Sequence, residues 1–149
     1  MSTENTPKPT GIRLGFTGTQ RGMTPEQKHS FESLIGEQMP IEFHHGDCIG
    51  ADSDAHDIVE TLDESLIIIH PPSNDSKRAY KQGRNPLNYT HPAKPYLDRN
   101  KDIVEATDSL IACPGEGSEQ LRSGTWSTVR YARKLRRPIY VILPDGRIV

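Results

Sequence analysis

The stretch Ile12-Arg13-Leu14-Gly15-Phe16-Thr17-Gly18-Thr19-Gln20-Arg21-Gly22, followed by Thr24-Pro25-Glu26-Gln27, decides how this chain folds. Residues 12–16 alternate apolar and other side chains, the period of a strand. The glycines and threonines that follow break that period and mark a turn. Thr24 to Gln27 form a capping box with proline at the first helical position, where its missing N–H is no loss. Phe31, Leu34, Ile35 and Met39 continue at helical spacing.

The same order of elements recurs downstream. Ile41-Glu42-Phe43-His44 is the second predicted strand, and Ala51, Ala55, Ile58, Val59 and Leu62 mark the buried stripe of a second helix. Leu66-Ile67-Ile68-Ile69 is a continuous aliphatic run, as expected of a strand covered on both faces, and Pro71-Pro72 ends it. A short helix from about residue 98 to 106, a strand over 110–113, a helix over 125–135 and a strand over 139–143 complete the pattern. Between them, residues 73–95 hold no period and carry Pro86, Pro92 and Pro95. A loop of that length in a compact domain is usually functional or mobile. Alternating strands and helices predict an α/β three-layer sandwich with a mainly parallel five-stranded sheet and right-handed crossovers.

Ligands of such sheets bind beyond the carboxyl ends of the strands, at a topological switch point. In strand order 3-2-1-4-5 that point lies between the first and fourth strands, so the loops Thr17–Gly22 and Pro114–Gly124 face each other. In the order 2-1-3-4-5 the long third loop takes the place of the fourth.

The 149 residues correspond to about one domain, expected over 11–149, and the polar, proline-bearing residues 1–10 are expected to form a loose tail. The net charge of -2 hides segregation: residues 44–65 hold seven acids and no Lys or Arg, whereas residues 122–137 hold six bases and no acid. An acidic helix and a basic helix follow. With two cysteines, no apolar leader and no run of membrane-spanning length, the expected setting is cytoplasmic, with no membrane partner. The sequence pI near 6.3 argues against a broad electrostatic footprint for DNA.

Three loops concentrate glycine with hydroxyl-bearing or acidic residues: 17–22, 45–52 and 123–125. Gly18, Gly46, Gly50 and Gly124 allow backbone to approach phosphate oxygens, or simply turn the chain. Thr17, Thr19, Ser123 and Thr125 can donate to a phosphate or cap a helix. Arg21 and Arg99 can clamp a phosphate at two points, unless they are ordinary surface arginines. Asp47 and Asp52 can accept from ribose hydroxyls, and capping the second helix accounts for either equally well. Trp126 either packs in the core or touches the ligand. His44, His45, Cys48 and His56 crowd together, but adjacent strand residues point to opposite faces, so His44 and His45 do not converge on one ion and no metal is expected. Neither the phosphate loop ending in Lys-Ser/Thr nor G-x-G-x-x-G occurs, and no cofactor is expected. Residues 77–96 interleave Lys, Arg, Tyr and His, a composition suited to a lid over a mononucleotide or a platform for single-stranded nucleic acid.

Taken in order, Gly15-Phe16-Thr17-Gly18-Thr19, the element His45-Gly46-Asp47 to Gly50-Ala51-Asp52, Arg99-Asn100, and Pro114-Gly115 leading to Ser123-Gly124-Thr125 resemble the SLOG superfamily. That group includes the DNA-processing protein A Rossmann domain, the LOG ("lonely guy") phosphoribohydrolases and the YspA-like small proteins, and the likeness is strongest to the YspA-like branch. The resemblance implies a Rossmann-like sheet of order 3-2-1-4-5 and a site for a nucleotide or nucleotide derivative. It places Arg99, Asn100 and Thr125 on the ligand. In LOG enzymes the phosphate motif continues to a catalytic Glu, and here Thr128 stands at that position. Catalytic candidates are therefore Arg99 with Glu116 or Glu119 on the enlarged loop. Three readings follow: nucleotide binding, N-glycosidic cleavage of a nucleoside monophosphate, and nucleic-acid binding like DNA-processing protein A. Self-association into a homo-oligomer is compatible with each.

Overall fold

The computed structural model describes residues 11–62 and 65–149, and the expected tail at 1–10 lies outside them. Six strands form one sheet: β1 (Arg13–Gly18), β2 (Glu42–His45), β3 (Leu66–Ile69), β4 (Tyr89–Thr90), β5 (Ser109–Cys113) and β6 (Ile139–Val141). All adjacent pairs are parallel, in the order β4-β3-β2-β1-β5-β6. This corrects the expected five strands and their order. The added strand, β4, comes from the proline-rich segment, and two residues are too short to show alternation. Tyr89 and Thr90 pair with Ile68 and Ile69, and the side chain of Asn88 accepts from the Ile67 N–H at 2.8 Å.

Among the described residues four α-helices cover the sheet: α1 (Pro25–Gln38), α2 (Ala51–Leu62), α3 (Tyr96–Glu105) and α4 (Gly124–Lys134). The α1–α2 pair packs together, as does the α3–α4 pair, giving the three-layer α/β arrangement of a Rossmann-like fold. Side-chain alternation along β1 separates the two cores. Leu14 and Phe16 join Phe31, Phe43, Ile67 and Ile111 in one cluster, where Phe16 and Phe31 meet edge to face at 5.4 Å between centroids. Val104, Leu110, Ala112, Trp126 and Val129 fill the other. Gly15 leaves room for α3 and the residues after it, since a Cβ there would come within 3.0 Å of Ile103 and 2.9 Å of the Thr107 hydroxyl.

Thr24 caps α1 with the expected reciprocal bonds to Gln27, each 3.0 Å. The capping glutamine does more than the motif foretells. Its buried amide donates to the carbonyls of Pro114 at 2.8 Å and Ile142 at 2.9 Å, tying α1 to the exits of β5 and β6. Met39, expected on the buried stripe, is instead the exposed left-handed C-cap of α1, and Leu62 at the end of α2 is also exposed. Helical spacing continues past the point where the chain turns from the core. No helix among the described residues is long and apolar enough to cross a membrane.

Candidate functional site

Because all strands are parallel, the exits of β1 and β5 share one edge of the sheet. The loops there enclose a cleft of about 330 Å³. The chain leaves β1 through Thr17 and Gly18, and the Thr19 N–H donates to the Cys113 carbonyl at 3.0 Å, so the first loop is pinned to the end of β5. The Thr19 carbonyl in turn accepts from Ala51 at 2.9 Å, the first residue of α2. Gly18 and Ala51 meet so closely that a Cβ on residue 18 would lie 2.5 Å from that of Ala51. Gly50, at φ +95°, packs on the backbone of Gln20, where any side chain would collide. The first two glycine loops thus brace each other.

Across the cleft, Ser123 caps α4 by accepting from the Trp126 N–H at 3.2 Å. The next two residues, Gly124 and Thr125, line the cleft, and N–H groups in the first turn of a helix have no intrahelical acceptor. The helix dipole adds positive potential there. Arg99 and Asn100 on α3 complete the wall. Arg99 is 5% exposed, and its guanidinium donates to the carbonyls of Gly46 and His70, the latter at 3.0 Å, and to the Cys48 sulfur at 3.4 Å. Its Nε is buried without an acceptor among the described residues. Arg21 reaches over Gly115 to Glu116 at 2.7 Å, an ion pair at the mouth that joins the β1 and β5 loops.

Asp52 is the buried acid of the cleft. Burial pushes its carboxyl up to about 6, against the opposing pull of Arg99 and of the Cys48 N–H, which donates to it at 3.1 Å. Burial also raises the Cys48 thiol, so that sulfur is a poor thiolate.

Of the residues singled out in the sequence, Thr17, Gly18, Thr19, Arg21, Gly46, Asp52, Arg99, Asn100, Glu116, Ser123, Gly124 and Thr125 line this one cleft. Asp47, Gly50 and Glu119 do not. Asp47 is fully buried and accepts from Arg78 Nε at 3.0 Å and from the Lys81 N–H at 2.8 Å, holding the segment after β3. Glu119 pairs with Arg130 and Arg133, both at 3.0 Å, on the outer side of α4. Thr128 is buried and donates to the Gly124 carbonyl at 2.9 Å. Trp126 packs among Val104, Ala112 and Val129, the core role of its two alternatives. His44 and His45 part as strand neighbours must: His44 meets His70 at 2.8 Å and His45 meets His56 at 2.9 Å.

Sequence reasoning missed Gln20, Cys48 and Gly115 as lining residues, and it placed Tyr96 only within the long basic loop. Cys48 sits inside the second glycine loop, a signal available in the sequence. No protein-family model matches the chain, and a search of curated proteins finds no match.

Proposed function

We propose that this protein is a cytoplasmic SLOG-type domain that binds a nucleotide or nucleotide derivative, with the phosphate in the cleft between the β1 and β5 loops. One observation carries this reading: the N-terminus of α4, bearing Gly124 and Thr125, opens on a cleft whose opposite wall is the Thr17–Arg21 loop. Free N–H groups, threonine hydroxyls and the positive end of a helix dipole favour a phosphate. Arg21 can exchange Glu116 for a phosphate oxygen, and Arg99 supplies a buried positive charge behind it. The reading is tested by calorimetric titration of phosphate-bearing compounds against wild type and Thr125→Val. The valine keeps the shape and lacks the hydroxyl, and a lost hydrogen bond to a charged acceptor is worth about 1.5–3 kcal/mol. Affinity should fall by at least tenfold while the unfolding midpoint stays within 2 °C or so of wild type. Equal affinity would remove the α4 N-terminus from the site.

Asp52 favours a second reading, N-glycosidic cleavage. A buried carboxyl raised to about 6 titrates close to neutral pH, the range in which a general acid can give a proton to a departing base. Release of free base from nucleoside monophosphates, abolished in Asp52→Asn, is the measurement that separates cleavage from binding.

A further inference from the structure

The cleft has a side chamber. A second hollow of about 410 Å³ adjoins it, and Gln20, Cys48, Tyr96 and Arg99 line both. Its far walls are Pro72, just after β3, and Pro95, just before α3. These prolines are held near each other by a parallel bridge: Ser73 N–H donates to the Lys94 carbonyl at 2.8 Å, and Lys94 N–H to the Pro71 carbonyl at 3.2 Å. Pyrrolidine rings and the Tyr96 ring make the walls mainly apolar and rigid, since proline has little conformational freedom to lose.

The rim donates. Lys77 Nζ bonds to Gln20 Oε1 at 3.0 Å, which orients that amide and leaves its NH₂ group for other partners. Asn74 Oδ1 accepts from both the N–H and the hydroxyl of Ser76, at 3.1 and 2.7 Å, which likewise leaves its NH₂ group. Tyr96 links the two spaces, because its ring edge lies over Gly124 at the α4 N-terminus, 3.5 Å from where a Cβ would sit, while the ring also lines the side chamber. The buried Arg99, with its unpartnered Nε, stands at the partition.

A flat heterocycle with apolar faces and acceptor atoms on its edge matches apolar walls with a donating rim; a bare sugar phosphate does not. We infer that the side chamber receives the base of a nucleoside phosphate, stacked on Tyr96 between Pro72 and Pro95, while the phosphate occupies the main cleft. The inference rests on the nucleotide reading above and adds where the base is held: in the side chamber of Pro72, Pro95 and Tyr96, with the ribose crossing the partition beside Arg99 and Asp52.

Calorimetric titration with AMP, GMP, CMP and UMP, set against ribose 5-phosphate, tests it on wild type, Tyr96→Ala and Tyr96→Phe. At least one nucleotide should bind wild type about tenfold or more tighter than ribose 5-phosphate, the size expected for stacking on an aromatic ring. Tyr96→Ala should remove that advantage, bringing nucleotide affinity to that of ribose 5-phosphate; because the ring also lies over Gly124, the readout is the ratio of the two affinities rather than either one alone. Tyr96→Phe, which keeps the ring, should bind nucleotides as wild type does. Tyr96 is half exposed, and thermal unfolding of both variants checks that the fold is retained. If ribose 5-phosphate binds as tightly as every nucleotide, or if Tyr96→Ala lowers both affinities equally, the base chamber is overturned and the phosphate site stands. If neither nucleotides nor ribose 5-phosphate bind at all, the phosphate reading fails and takes the base chamber with it.

Discussion

Arg99 donates through Nη1 to the carbonyl of Gly46, and a Cβ on residue 46 would overlap the guanidinium itself. The glycine is there to let an arginine from α3 reach beneath the loop after β2. Its other carbonyl partner, His70, follows β3, so one side chain ties together the exits of two strands behind the cleft. A planar fork can serve two acceptors at fixed angles; a lysine ammonium is a compact point charge on a flexible stem.

Arg99→Lys should therefore behave as a severe change. It leaves the Gly46 or His70 carbonyl unsatisfied, at a cost of about 1–3 kcal/mol. Gly46→Ala should be destabilising by a similar amount through overpacking. Urea unfolding reads both, and a combined variant should lose less than the two separate losses added, because both disturb the same contact.

Asp52 sets a pH dependence of one sign. Its folded-state pKa of about 6 lies above the ordinary 3.8, so the folded protein binds more protons than the unfolded chain between those values. Stability contributed by this group is greatest below about pH 4 and is lost as the pH rises through 6. Asp52→Asn should raise stability at pH 7 by up to roughly 3 kcal/mol relative to wild type, with the gain shrinking to nothing toward pH 4. Denaturant unfolding at pH 4, 5, 6 and 7 measures the difference, and a gain that is flat across that range would contradict the assignment.

The histidine pairs act in the opposite direction. The Asp47 N–H donates to His45 Nδ1 at 2.9 Å, so the proton of His45 sits on Nε2 and is given to His56 Nδ1, leaving His56 to donate to the Gln82 carbonyl at 3.2 Å. This chain works only with both rings neutral. Burial lowers both, and lowers His70 to about 3. The unfolded chain binds more protons below 6.5, so stability is fully present above that pH and is lost as the pH falls. His56→Gln preserves an acceptor and a donor without titrating. It should flatten the acid limb of the stability profile by up to about 1.4 kcal/mol per pH unit. Thermal unfolding from pH 7 to pH 5 is the readout, and an unchanged slope would exclude His56 from the acid response.

Local physical chemistry made much of this protein legible in the sequence. The strand at 13–18, the capping box at Thr24 and the aliphatic run at 66–69 are each dictated by spacing, side-chain shape or backbone chemistry within a few residues. The loops at 17–22 and 123–125, and Arg99, stand out in the sequence as candidates, although glycines and hydroxyls at strand exits also turn chains and cap helices, and residues of both loops line one cleft with Arg99. Tertiary structure alone decided the rest. Tyr89–Thr90 pairs because β3 offers a free edge, which no two-residue pattern can announce. Asp47 and Asp52 lie five residues apart, one in the loop after β2 and the other in the first turn of α2, yet Asp47 faces Arg78 and the segment after β3, whereas Asp52 faces the cleft. Glu116 and Glu119 divide in the same way, one at the mouth with Arg21 and the other on α4 with Arg130 and Arg133. Residue type and spacing show that a carboxylate is present, but its partner depends on which element packs opposite, and that is settled only when separated parts of the chain come together.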